Sequence, residues 1–215
     1  MTKRREISQE EYDALMEDII ASLMTNGVKS TTMDSIATSR QMSKRTLYEI
    51  FTSKEQMFQE ACEYFHKKIA RRLKEIFESS ENIMESIVRC FLYNRDLMSN
   101  LNAEFIRNIN HYFIESQKNK SNQSCSRPHH LFLYDILKRG VEEGFFIDTI
   151  NLMVHCRMLG IQMESLKRME EIFPPDITLL EVYDSITLGF LRGLCTSKGL
   201  EELDRILNNE STSEK

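Results

Sequence analysis

The chain reads as all-α, with an N-terminal three-helix helix-turn-helix domain joined by a long helix to a second, larger helical domain. Three observations predict the all-α class, and the family resemblance carried by residues 27–55 implies the domain layout. Apolar residues recur at three- and four-residue spacing, the period of a helix buried on one face. Seven Gly and three Pro in 215 residues leave few breakpoints, so long helices are favoured. No stretch shows the β-branched alternation of a strand.

Composition narrows the class further. Hydrophobic residues make up 41% and charged residues 28%, a globular rather than a disordered balance. The net charge of −5 excludes a protein that coats nucleic acid through overall basicity. The five cysteines, Cys62, Cys90, Cys125, Cys156 and Cys195, are far apart and form no CxxC, so neither a zinc site nor a disulfide framework is expected. They suit a reducing compartment as small apolar residues. MTKRREISQEEY is charged but leads into no apolar run, so it is no signal peptide. No window approaches roughly 18 apolar residues, so no membrane span is expected. A cytoplasmic location follows as the expectation.

Lys3, Arg4 and Arg5 form a short basic arm, either a solubilising terminus or a contact to phosphate or a minor groove. Ser8 and Glu11 make a capping box for the first helix. Tyr12, Leu15, Met16, Ile19 and Leu23 form its buried stripe, and Gly27 suits a left-handed C-terminal position. Thr31 or Thr32 caps the second helix, whose small apolar face is Met33, Ile36 and Ala37. A turn follows at 39–42, and Ser43 caps the third helix, expected to end at Phe51.

That third helix has two chemically opposite faces. Leu47 and Phe51 lie one turn apart and can bury together. Lys44, Arg45, Thr46, Tyr48 and Glu49 face outward. At about 1.5 Å per residue the helix spans roughly 12 Å, the width of a DNA major groove. Between Lys29 and Lys54 five cations meet two carboxylates, a local surplus of three in an acidic molecule. Such a patch fits site-specific binding with few phosphate contacts. Ser53 and Gln56 form a further capping box, opening a long fourth helix. Lys54 stands in its first turn, where a cation and free backbone N–H groups together favour a phosphate.

Gly27, Thr31-Thr32, Ile36-Ala37, Ser43, Thr46-Leu47-Tyr48, Phe51 and Ser53-Lys54-Glu55 together resemble the tetracycline-repressor (TetR) family of bacterial transcriptional regulators. The match spans about 50 residues in one register. It implies a three-helix DNA-binding domain over 1–54, a helical ligand-binding and dimerisation domain over 55–208, and a disordered tail over 209–215. It also implies a homodimer, a double-stranded DNA operator, a small-molecule effector, no cofactor or metal, and no catalysis. Carried over by position, Thr32, Thr46, Tyr48 and Lys54 would contact phosphates, and Lys44, Arg45 and Glu49 would face base edges. Arg45 and Glu49 are equally placed for an exposed i,i+4 ion pair. The sequence departs from the pattern at Gln41, where the family usually has Gly, at Arg45, where it is often small, and at Ile50, where it is often aromatic.

The fourth helix continues with Phe58, Cys62, Phe65, Ile69 and Ile76 on its buried stripe. Lys67, Lys68, Arg71, Arg72 and Lys74 read as its solvated face. Helices are then expected over about 81–98, 102–117, 128–143, 149–172, 178–195 and 200–207, with a polar loop at 118–127. Phe91, Phe105, Tyr112, Tyr134, Arg157 and Met158 lie where the resemblance places an effector pocket, although Met- and Phe-rich helices equally make an ordinary core. Gly189 and Gly193 weaken a helix by about 1 kcal/mol each, so close approach of another helix should offset them. Together with Tyr183, Ile186 and Phe190 they are assigned to the dimer interface, with packing inside the chain as the alternative. His155-Cys156 is poorly placed as a catalytic pair, because neighbours on a helix diverge by about 100°. A helical small-molecule enzyme or an architectural protein that retains a helix-turn-helix are the competing classes.

Overall fold

The computed structural model describes residues 7–100, 105 and 129–213. The expected sixth helix, the polar loop after it, Tyr112 and Cys125 lie outside the described residues. Every regular element among the described residues is helical. They fall into two compact units: one holds residues up to Arg71 together with Phe105, the other holds 72–99 and everything from 129 onward. The division falls within the long fourth helix rather than at its start.

In the first unit α1 (Gln9–Ser30) opens on the Ser8–Glu11 capping box. Leu15, Met16, Ile19, Ile20 and Leu23 point inward. At Gly27 the backbone takes φ 78° and ψ 171°, a region that is essentially glycine's alone. One last turn follows, closed by Thr31. Its hydroxyl is fully buried, donates to the Gly27 carbonyl at 2.9 Å and lies 3.0 Å from Ser22 Oγ. Thr32 then caps α2 (Met33–Ser39), in a reciprocal box with Ser35. The paired threonines therefore divide the work, one ending a helix and the next starting one.

The turn into α3 (Lys44–Ile50) is a Schellman motif. Met42 N–H donates to the Ala37 carbonyl at 2.9 Å and Gln41 N–H to the Thr38 carbonyl at 3.1 Å. That geometry needs a left-handed residue after the cap, and Gln41 supplies it with φ 51°. The left-handed turn forms without a glycine at that position. Leu47, Ile50 and Phe51 are all buried, so Ile50 fills the core where an aromatic ring is more usual.

The fourth helix, α4 (Lys54–Ser79), begins at a variant of the expected capping box. Ser53 Oγ accepts from Gln56 N–H at 3.2 Å, but Gln56 Oε1 reaches back to Thr52 N–H at 2.8 Å rather than to Ser53. Met57, Phe58, Ala61, Cys62 and Phe65 line its buried face. Polar contacts tie it to α1: Tyr12 donates to Glu60 at 2.7 Å, and Lys68 and Tyr64 both reach Glu17.

The second unit contains α5 (Ile83–Ser99), α6 (His129–Glu142), α7 (Leu152–Ser165), α8 (Met169–Ile172), α9 (Leu179–Leu194) and α10 (Ser197–Ser213). Its main core joins Ile83, Met84, Val88, Leu137, Phe146 and Leu191. Residues 139–146 (RGVEEGFF) close α6 and turn the chain against the end of α9, where Ile147 N–H donates to the Leu194 carbonyl at 2.9 Å. Gly144 turns the chain with φ 79°. Gly140 is required because a Cβ there would lie 2.2 Å from the Phe146 ring. Lys198 then closes the corner, donating to the Glu143 carbonyl at 2.8 Å and lying 4.5 Å above the Phe145 ring.

Two expectations for this half need correction. The single helix over 149–172 is broken by a 3₁₀ turn, Leu166–Arg168, between α7 and α8. Tightening the turn there brings Leu166 into a second cluster with Phe91, Val182 and Tyr183. At the other end, α10 continues to Ser213, so most of the tail expected to be disordered is helical.

Candidate nucleic-acid interface

The site is built on α3. Its apolar back is sealed by Leu47, Ile50 and Phe51, which fixes which residues face outward. Ser43 Oγ accepts from Thr46 N–H at 3.0 Å and lies 2.8 Å from the Thr46 hydroxyl. Ser43 therefore sets both the start of the helix and the orientation of its first turn. Tyr48 is 52% exposed and the Arg45 side chain 89%. Thr32, at the start of α2, is also exposed and caps Ser35 N–H at 3.1 Å.

The cations are less free than the sequence suggested. Arg45 Nε donates to Glu49 Oε1 at 3.0 Å, the i,i+4 pair foreseen as one alternative. Lys44 reaches across to Asp34 on α2, and Arg40 pairs with Asp18 on α1 at 2.8 Å. These last two pairings join residues ten and twenty-two positions apart, and no local spacing rule flags them. Lys54 points inward. Its Nζ donates to the Val28 carbonyl at 3.0 Å, with Lys29's carbonyl at 3.5 Å, and lies 5.0 Å over the Phe58 ring. It ties the start of α4 to the end of α1.

Five of the six residues assigned to an effector pocket are described. Phe91 stacks on Tyr183 with centroids 5.6 Å apart. Phe105 belongs to the other unit, edge-on to Phe65 at 5.8 Å. Tyr134 is half-buried against the main core, whereas Arg157 and Met158 are exposed on α7. Tyr112 lies outside the described residues.

Of the residues assigned to dimerisation, Tyr183 is turned inward, because its ring completes the stack with Phe91. Gly189 and Gly193 sit on an exposed face of α9, and a Cβ added to either would meet nothing within 4 Å. Among the described residues nothing packs closely against either glycine. Beside them, an open groove of about 270 Å³ runs between α7 and α9, lined by His155, Met158, Gln162, Ser185, Ile186 and Phe190 among others. Val154, Met158 and Ile161 on α7 are 48%, 52% and 72% exposed.

His155 and Cys156 diverge. His155 Nδ1 lies 3.1 Å from the Asn151 carbonyl, while Cys156 is 1% exposed. Burial pushes the thiols of Cys62, Cys90 and Cys195 up to about 12, 11 and 11, which keeps them in the poorly nucleophilic neutral form. Among the described residues no cluster of His, Cys, Asp or Glu could hold a metal, and no helix is long and apolar enough to cross a membrane.

A short helix, capped by Ser43, sealed behind and polar in front, entered through a Schellman turn from a second short helix, defines a helix-turn-helix DNA-binding protein. Residues 20–61 match the family model described as bacterial regulatory proteins, tetR family. The HTH-type transcriptional repressor KstR2 of Mycobacterium tuberculosis is 26% identical over 151 residues, covering 67% of this chain and 74% of the relative. Among solved structures, that of the ketosteroid transcriptional regulator KstR2 of M. tuberculosis aligns over 92% of this chain and all of its own, with TM-score 0.54 and 19% identity. A TetR-family regulator from Agrobacterium tumefaciens aligns over 87% of this chain and 99% of its own, with TM-score 0.61 and 11% identity. Residues 20–61 thus carry a tetR-type helix-turn-helix, and the chain is a DNA-binding transcriptional regulator similar in sequence and fold to TetR-family repressors.

Proposed function

We propose that the protein is a dimeric repressor that reads a palindromic operator with α3 and is released or engaged by a small molecule bound in its second unit. One observation carries the reading. Leu47, Ile50 and Phe51 lock α3 from behind, so Lys44, Arg45, Thr46, Tyr48 and Glu49 form its outward face. Arg45 has the reach and planar donor set to bind a guanine edge in two places. Tyr48, Thr46 and Thr32 offer hydroxyls to phosphates on either side. Lys54 ties the start of α4 to the end of α1 through the Val28 carbonyl. Repression is favoured by the relative named as a transcriptional repressor.

A second copy is the occupant we assign to the α7–α9 face. Ile161, Met158 and Val154 expose apolar surface there, and Gly189 and Gly193 leave room for a helix backbone to approach. Two reading helices related by such an axis would address half-sites about 34–36 Å apart or slightly more. An effector acts only by binding one separation of the reading helices better than another.

The test is selection of bound duplexes from a random pool by the full chain, with the mass of the complex measured in parallel. The reading predicts inverted repeats bound by two chains per duplex, or by a pair of such dimers. Enrichment of single, non-repeated sites by one chain would overturn the dimer. Failure to enrich any sequence would overturn the reader.

A further inference from the structure

All three cations between residues 40 and 45 hold a carboxylate: Arg40 with Asp18, Lys44 with Asp34, Arg45 with Glu49. On the outward face of α3, Lys44 and Arg45 are thus matched one for one by Asp34 and Glu49. The face carries no net charge while these pairs hold. Glu49 rides on the same helix as Arg45. Asp34 does not: it projects from the first turn of α2 to meet Lys44 across the helix-turn-helix. Both partners are largely exposed, with 65% of the Lys44 side chain and 57% of the Asp34 side chain open to solvent.

We propose that Asp34 is a specificity-determining residue, whose carboxylate holds the Lys44 ammonium away from the phosphates of arbitrary DNA and yields it only on the cognate site. The inference rests on α3 being the reader. Binding to arbitrary DNA is driven almost wholly by cations that replace condensed counterions along the backbone. A lysine already matched by its own carboxylate displaces none, and the carboxylate repels any phosphate that approaches. On the cognate site, base contacts seat α3 at a fixed depth and bring an acceptor beside Lys44. An exposed pair is screened and weak enough to exchange at that moment. A buried one would not be.

The experiment uses the full chain, a duplex selected by the wild-type chain from a random pool, and a scrambled duplex of the same length. Affinity for each is measured across a salt series. For Asp34→Asn on the scrambled duplex, the slope of log affinity against log salt steepens by about 0.9 per bound chain, and affinity rises about five- to tenfold per chain at about 0.1 M salt. On the selected duplex the slope stays as in wild type, because Lys44 is already engaged there. The ratio of the two affinities falls accordingly. Asp34→Glu, which keeps the charge, restores wild-type behaviour on both duplexes. An unchanged slope on the scrambled duplex, or equal steepening on both, overturns the proposal. Lys44→Ala separates this failure from a failure of the reader. If it leaves binding to the selected duplex untouched, α3 is not the reading helix. If it weakens that binding while Asp34→Asn changes nothing, only the role of Asp34 falls.

Discussion

Gln41 occupies a left-handed position that glycine would fill more easily. An L-residue is strained there by about 1 kcal/mol or more, while glycine loses up to about 1 kcal/mol through the freedom of its unfolded chain. The difference favours Gln41→Gly by about 0.5 kcal/mol, seen as a slightly raised midpoint in thermal unfolding. Gln41→Val, with its branched Cβ, should lose about 1–2 kcal/mol at the same site. Lys54 is the other residue whose role the structure redraws. Its ammonium satisfies carbonyls at the end of α1, so Lys54→Met should lower stability by about 1 kcal/mol while leaving the salt slope of operator binding unchanged. A slope flattened by about one unit would return Lys54 to the phosphate contacts implied by the family pattern.

At the scale of elements, α9 is a helix with one face committed and one open. Tyr183, Val182, Leu191 and Leu194 are buried in the chain, and among the described residues nothing lies within 4 Å of a Cβ added at Gly189 or Gly193. Gly189→Leu should therefore leave the helical signal and monomer fold intact, yet shift the sedimentation of the protein toward a single chain and weaken operator binding at least tenfold. An unchanged mass and unchanged binding would place the pairing surface elsewhere. The contact of α10 with α5 gives a second element-scale prediction. Arg205 beside it and Asn82 hold the Glu202 carboxyl down to about 2, from an ordinary value of 4.5. The folded state thus favours the ionised form. Its stabilisation is fully present above 4.5 and disappears as pH falls through about 2. Glu202→Gln should cost about 1–2 kcal/mol in urea unfolding at pH 7 and nearly nothing at pH 2.

For the whole molecule, what could be read from the sequence was what local chemistry encodes. Ser8 with Glu11 and Ser43 before Thr46 are short-range devices that stand in the structure as their spacing implies, whereas Gly27, expected to end α1, kinks it at φ 78° and ψ 171° and the helix runs on to Ser30. The helical stripes are equally local, and they define the all-α class. Long-range choices were not legible. Nothing near Leu166 in sequence signals that it must bend inward to meet Phe91 and Tyr183, so periodicity alone predicts an unbroken helix over 149–172. Aromatic residues on successive helices do not reveal which way each ring turns, which is why Phe91 and Tyr183 were assigned to separate sites although they stack on each other. The partners of Lys44, Arg40 and Lys54 come from other elements. A charge count alone therefore overstated how many cations the reading face offers.

The central claim is that the outward face of α3 reads base sequence. The most direct measurement compares wild type and Arg45→Ala on the selected operator and on a set of duplexes carrying every single-base change within a half-site. The account predicts that Arg45→Ala weakens the operator about ten- to a hundredfold and flattens the preference at one guanine per half-site, with the remaining positions still discriminated. Operator affinity and base preference identical to wild type would contradict it.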